Sequence, residues 1–325
     1  MPPITFISAF KPAWWLPNAH AQTLWPYLFR KKLQLKLIRE RLELPDGDFV
    51  DLCWTDRHAK TIVIIFHGLE GSIDSHYARG IIPAVYNQGW TAVFMHFRGC
   101  SGEHNRLPRS YHSGDTGDIN FLINTLSRRY PKANLFALGY SLGGNALLKY
   151  LGEDEAAKPL KGAVAVSVPF DLANGSLRLE RGLSRLYQRH LIKRLRSKLI
   201  SKFKGMDAPV ALENITCLNT FMRFDNFITA PLHGFRDAAD YYTRSSSRQF
   251  LKNIRIPTLI LHAQDDPFMT PEGIPGVNEL SGDIRFELSR HGGHVGFVGG
   301  INPFKPVYWV EQRITEFIEE ILEKP

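Results

Sequence analysis

The sequence predicts an α/β protein with a mostly parallel central sheet covered by helices on both faces. Continuous apolar, β-branched runs at Thr61–His67, Thr91–Phe97 and Ala163–Val168 mark strands buried on both faces. Helical stretches lie between them, and strands alternating with helices build a parallel sheet. The 325 residues, 44% hydrophobic and 22% charged, have the balance of a globular chain large enough for one extended core. That balance excludes a disordered chain, a collagen-like repeat and a coiled coil.

From the N-terminus, residues 1–37 are rich in aromatics and proline (Trp14, Trp15, Pro17, Trp25, Pro26, Tyr27, Phe29) and have no clear period. They are expected to form an arm laid across the body, because so much aromatic surface is not expected to stay exposed. Leu37–Leu44 and Phe49–Trp54 flank Pro45-Asp46-Gly47-Asp48, the signal of an antiparallel hairpin. After Thr61–His67 come a helical stretch near residues 75–88 and the strand Thr91–Phe97. A helix at Asp115–Arg129, a strand at Leu135–Gly139, a helix at Asn145–Leu151 and a strand at Ala163–Val168 continue the alternation. Leu259–Ala263 and Ile284–Leu288 read as the last strands, and Pro306–Leu322 as a terminal amphipathic helix.

Residues 171–247 are too many for one crossover helix and are expected to be an inserted helical cap, leaving 38–170 and 248–325 as the core. Within the cap, residues 178–204 hold ten Lys/Arg against one acid, Glu180. Leu179, Leu183, Leu186, Tyr187, Leu191, Leu195 and Leu199 recur there at close to a helical period.

Lys and Arg number 40 against 32 Asp and Glu, a formal charge of +8. Cys53, Cys100 and Cys217 are odd in number and widely spaced, which indicates reduced thiols rather than a disulfide framework or a zinc site. The apolar runs are far shorter than the ~20 residues that span a bilayer. Pro2, Pro3 and Pro12 interrupt any secretory leader, so a cytoplasmic protein is expected.

The segment richest in chemistry is Leu135–Gly144. Gly139-Tyr140-Ser141-Leu142-Gly143 fits the Gly-x-Ser-x-Gly turn that lifts a serine hydroxyl out of a sheet edge, and it lies after an apolar strand and before a helix, as that turn requires. A helix N-terminus beneath the serine favours developing negative charge. The hydroxyl needs a base, and the base needs an acid to orient it. Gln264-Asp265-Asp266-Pro267 follows one strand and Arg290-His291-Gly292-Gly293-His294 follows the last, so the order Ser, Asp, His is satisfied. Asp266 is preferred to Asp265 because it directly precedes the turning proline. His294 is preferred to His291 because Gly292-Gly293 gives it a flexible approach.

His67-Gly68-Leu69-Glu70-Gly71 follows the first buried strand, which assigns Leu69 N–H and Leu142 N–H as oxyanion donors. His67 reads as a structural imidazole that ties down its loop. Gly99-Cys100-Ser101-Gly102 lacks dinucleotide-site spacing, there is no phosphate-binding Gly-x-x-x-x-Gly-Lys-Ser/Thr loop, and His20, His76, His96 and His104 have no metal-ligand spacing. No cofactor and no metal are expected.

With these segments in view, the chain resembles the α/β-hydrolase superfamily and, within it, the YheT-like branch (the AB hydrolase 4 family). The resemblance runs through Pro17-Asn18-Ala19-His20-Ala21-Gln22-Thr23, His67–Gly71, Phe97-Arg98-Gly99-Cys100-Ser101-Gly102 and Gly139–Gly144. It continues through Asp225, Gly234-Phe235, Asp240-Tyr241-Tyr242, Pro257-Thr258-Leu259, Asp265-Asp266 and Gly292-Gly293-His294. It implies a Ser-Asp-His hydrolase of carboxylic esters, with relatives associated with lipid or acylglycerol substrates. The expected reaction is attack by Ser141 on a small-molecule ester, with His294 as base, Asp266 as its orienting acid and an acyl-enzyme intermediate. The alternatives are a thioesterase or amidase on the same triad, or a non-catalytic ligand-binding protein. The cap's basic stripe reads either as a solvated helix face or as a peripheral contact with an anionic membrane. No motif supports nucleic-acid binding.

Overall fold

The apolar runs become the middle of the sheet, where no strand face meets water. A computed structural model describes residues 4–56, 60–153 and 158–323, with side chains described from residue 8 onward. The strands are β1 (Ile4–Ile7), β2 (Ile38–Glu43), β3 (Phe49–Trp54), β4 (Thr61–Phe66), β5 (Thr91–His96), β6 (Asn134–Tyr140), β7 (Gly162–Val166), β8 (Thr258–Ala263) and β9 (Ile284–Ser289). They form one nine-stranded sheet in the order β1-β9-β8-β7-β6-β4-β5-β3-β2. Within this sheet, among the described residues, β2–β3 and β3–β5 pair antiparallel and the other neighbours parallel. Every residue of β4, β5, β7 and β8 is buried. Along the parallel strands, Phe66 lies beside Gly139 and Tyr140 beside Val166. The register therefore aligns the C-terminal ends of β4, β6, β7 and β8 on one edge, where open α/β sheets build their sites.

Helices cover the two faces. α1 (Ala19–Phe29), α2 (Ala78–Asn87), α3 (Gly117–Arg129) and α4 (Leu142–Gly152) come first in the chain. Ile119, Leu122 and Leu126 of α3 and Leu147 and Leu151 of α4 pack on one face with Ile64, Phe66 and Val93. On the other, Ile81 and Val85 of α2 join Ile314 and Ile318 of the C-terminal helix Trp309–Leu322, packed on Val63, Ile65 and Phe94.

Between β7 and β8 lie α5 (Leu172–Leu179), α6 (Ser184–Lys202), the helix Ala238–Ser245 and several shorter turns. This interval has a core of its own, in which Leu179, Ile192, Leu199, Phe221, Phe224 and Ile228 meet. Some of its basic residues turn inward. Lys202 is buried with its ammonium on Asn105 Oδ1 (2.7 Å) and the Arg109 carbonyl (2.8 Å), and burial pulls its pKa down to about 8.

The N-terminal segment differs from the expectation in two ways. It supplies an edge strand, since β1 pairs parallel with β9, and it supplies α1, capped by Asn18 accepting from Ala21 N–H. Nor is all of its aromatic surface covered. Trp15 packs edge-on against Trp25, but Trp14, Tyr27 and Phe29 stay exposed. For Tyr27 and Phe29 the reason is α1, whose inward face is Gln22, Thr23 and Pro26 and leaves these rings outside. Among the described residues, no helix is long and apolar enough to cross a membrane.

Candidate active site

Ser141 joins β6 to α4 with φ 51° and ψ −118°, a conformation that L-residues rarely adopt and that surrounding structure must impose. Its N–H donates to the Val166 carbonyl of β7, and its own carbonyl accepts from Asn145 N–H in α4. The turn is tight enough to need glycine two residues on. A Cβ on Gly143 would lie 2.5 Å from the Phe66 and His67 carbonyl oxygens, so any side chain there would force α4 away from the end of β4.

Asp266 is in the turn after β8 and His294 in the loop after β9. The imidazole of His294 joins all three groups. Its Nε2 is 3.0 Å from Ser141 Oγ and its Nδ1 is 2.8 Å from Asp266 Oδ2. Asp266 is buried, and its second oxygen accepts from Phe268 N–H at 2.8 Å. The Phe268 ring stacks on the imidazole with centroids 3.9 Å apart. In this arrangement Asp266 can hold the proton on Nδ1, leaving Nε2 free to accept from the serine hydroxyl.

The neighbouring pair sits apart. His291 has an exposed ring with Nδ1 3.2 Å from Asp265 Oδ2, while the other Asp265 oxygen accepts from Gly293 N–H at 3.0 Å. Asp265 therefore shapes the histidine loop, and His291 lies at its rim. The glycines of that loop serve close packing rather than flexibility. Gly293 has φ +60°, and a Cβ there would meet the Ala19 carbonyl of α1 at 2.4 Å.

Several residues that sequence reasoning did not assign to the site hold His294 in place. Thr23 Oγ1 accepts from His294 N–H (2.9 Å), and Ser167 Oγ accepts from Val295 N–H (2.9 Å). Gln22 brackets Val298 through both its side-chain oxygen and nitrogen. Gln22 and Thr23 belong to the Pro17–Thr23 motif, and their burial on α1 gives that motif a physical role.

The loop after β4 runs alongside the serine. A Cβ on Gly68 would be 3.3 Å from Ser141 Cβ. His67 is fully buried, which lowers its pKa to about 3. It is therefore neutral, with Nδ1–H donating to the Gly68 carbonyl (2.6 Å) and Nε2 accepting from Phe97 N–H (3.0 Å). Gly68 N–H and Glu70 N–H donate to the Tyr77 and Tyr111 hydroxyls. Leu69 N–H, between them, and Leu142 N–H, at the start of α4, donate to no group among the described residues. Such unpaired donors beside a hydroxyl can bind an anion.

Helix α6 holds this loop from above. Glu70, with φ 52°, receives Arg194 Nη2 on its carbonyl (2.6 Å) and Lys198 Nζ on its carboxylate (2.9 Å). Leu69 and Leu142 also line a cavity of about 90 Å³, together with Leu195, Leu199, Phe221, Phe224 and Ile228 from the interval between β7 and β8. Among the described residues, no cluster of three or more His, Cys, Asp or Glu could hold a metal ion.

The family model of the alpha/beta hydrolase fold matches residues 61–300. "Putative esterase YheT" of Escherichia coli (strain K12) is 44% identical over 312 residues, covering 94% of this chain and 92% of that one. The chain belongs to the α/β-hydrolase family. Within it, the similarity to YheT puts this α/β hydrolase in the YheT-like branch. More distant similarity reaches "Phospholipase ABHD3" of Mus musculus, 27% identical over 97% of this chain and 79% of its own. "Monoacylglycerol lipase" of Saccharomyces cerevisiae is 32% identical over 74% of this chain and 55% of its own. Among solved structures, an esterase of Pyrococcus furiosus superposes with a TM-score of 0.59 at 16% identity, covering 98% of this chain and 97% of that one; that likeness is one of fold.

Proposed function

We propose that this α/β hydrolase is a serine esterase that cleaves carboxylic esters of acyl type through a covalent acyl-enzyme. The observation that carries the reading is the single imidazole, His294, within hydrogen-bond reach of both Ser141 Oγ and a buried carboxylate, Asp266. Relatives named as esterase, monoacylglycerol lipase and phospholipase support ester substrates.

In the proposed reaction His294 Nε2 takes the Ser141 proton as Oγ attacks the carbonyl carbon, and Asp266 stabilises the imidazolium. Leu69 and Leu142 N–H groups hold the tetrahedral oxyanion, the role in which preorganised donors contribute most. His294 then protonates the leaving alcohol, and a water activated by the same nitrogen releases the acid. The cavity beyond Leu69 and Leu142 has an apolar wall of Leu195, Leu199, Phe221, Phe224 and Ile228, which suits an acyl chain, and shares its lining with Glu70, Lys198, Lys202 and Asp225.

The test is a panel of p-nitrophenyl esters of increasing chain length, with matched thioesters and anilides. Ester turnover that exceeds anilide and thioester turnover and vanishes in Ser141→Ala supports the reading. Preferred thioester or anilide turnover would reassign the bond cleaved. Binding without turnover of any substrate would leave a ligand-binding protein.

A further inference from the structure

Helix α1 is turned inside out relative to an ordinary surface helix. Its inner face is Gln22, Thr23 and Pro26, the first two committed to the histidine loop, and its outer face exposes Leu24, Tyr27 and Leu28, spaced i, i+3, i+4, with Phe29 beside them. The apolar surface continues past the helix. Trp25 packs on Phe29 (4.3 Å between centroids) and on Trp15 (4.6 Å). Next to Trp15, Trp14 is 74% exposed and donates its indole N–H to the Ile301 carbonyl. Ile301 is 84% exposed and Phe304, at the tip of the same loop, 94%. A continuous patch of this size on a soluble face marks an interaction site.

The two segments that carry it hold charge of one sign. Residues 8–34 and 296–308 contain no Asp or Glu, while Lys11, Lys31, Lys32 and Lys305 are exposed there. We propose that this face docks onto an anionic lipid membrane, with the aromatic and aliphatic side chains entering the interface and the lysines meeting the headgroups. Tryptophan, phenylalanine and tyrosine beside lysines are the composition of a membrane-interface anchor. A second copy of the chain fits less well, because a two-fold contact would set the same lysines against each other with no carboxylate between them.

This surface is separate from the basic helix Ser184–Lys202 that the charge pattern singles out. On that helix Arg194, Lys198 and Lys202 are bound to Glu70, Asn105 and Arg109, while Arg185, Arg189 and Lys193 stay exposed. Because the inner face of α1 holds the loop of His294, docking through its outer face keeps the candidate site about one helix diameter, ~10 Å, from the lipid. The proposal does not rest on the esterase reading.

Co-sedimentation of the full chain with phosphatidylcholine vesicles, with and without phosphatidylglycerol, tests it. Partition onto phosphatidylglycerol vesicles that weakens in high salt is expected. The double variant Leu28→Ser/Phe304→Ser should lose more than tenfold of that partition. Lys31→Glu/Lys32→Glu should lose the preference for phosphatidylglycerol. Both should keep wild-type circular dichroism and wild-type turnover of a water-soluble ester, which separates loss of docking from loss of fold or chemistry. Should those variants fail to fold, Trp14→Phe provides a second measurement, because the blue shift of tryptophan fluorescence on adding vesicles should shrink. Equal partition onto both vesicle types, variants that bind like wild type, or a solution dimer dispersed by Leu28→Ser/Phe304→Ser would each overturn the proposal.

Discussion

Two histidines and two aspartates lie within a few residues of one another, and their surroundings separate their roles. His294 faces Ser141, is covered by Phe268 and is anchored through its backbone to Thr23. The His291 ring is largely solvent-exposed and touches only Asp265 among the described residues. On this geometry His294→Ala should lower ester turnover by about 10²–10⁴-fold, the usual worth of a positioned base, while His291→Ala should stay within a few-fold of wild type. Asp266→Asn should be severely damaging, because the amide can no longer hold the proton on Nδ1 of the imidazole. Asp265→Asn should be mild, since its amide oxygen still accepts from Gly293 N–H. Steady-state kinetics on one soluble ester check all four, and a reversed order within either pair would reassign the base or the acid.

Helix α6 acts on the loop after β4 through two side chains, Arg194 and Lys198, that both end on Glu70. A residue held at positive φ costs about 1–3 kcal/mol and persists only while its neighbours impose it. Lys198→Met removes the charged contact and keeps the stem, so the Leu69 N–H should lose alignment with the developing oxyanion. The expected result is a fall in kcat of about tenfold with KM little changed, less than the ~10²–10³ for deleting an oxyanion donor. An unchanged kcat would show that the loop holds itself. The π-helical turn Asp225–Thr229 carries a second testable group. Asp225 is buried, accepts from Thr229 Oγ1 and Tyr242 O–H, and is pushed by burial from 3.8 up to about 6. The folded chain thus binds more protons than the unfolded one between those values, so this contribution to stability is complete below about pH 4 and is lost as pH rises through about 6. Denaturant unfolding of Asp225→Asn against wild type should therefore shift in favour of the variant by about 2 kcal/mol between pH 4 and pH 7. A pH-independent difference would contradict it.

Across the whole molecule, what could be read in advance follows burial. β4, β5, β7 and β8 are enclosed on both faces, so burial forces nearly continuous apolar runs that no surface element shows. The proximity of Ser141, Asp266 and His294 was legible because each follows a strand at the carboxyl edge, where the order along the chain becomes nearness in space. β1 was not legible, because four residues at a sheet edge carry too little pattern. α1 was missed because its periodicity is inverted, with Gln22 and Thr23 inward and Leu24, Tyr27 and Leu28 outward. Ser167 left no signal, and Thr23 none beyond its place in the Pro17–Thr23 motif, since a lone hydroxyl that accepts one backbone N–H looks like any other serine or threonine.

The arrangement of Ser141, His294 and Asp266 is tested most directly by a fluorophosphonate probe followed by peptide mass spectrometry. A single adduct on the peptide that carries Ser141, absent in Ser141→Ala and formed far more slowly in His294→Ala, is the expected result. No adduct, or an adduct on another residue, would contradict it.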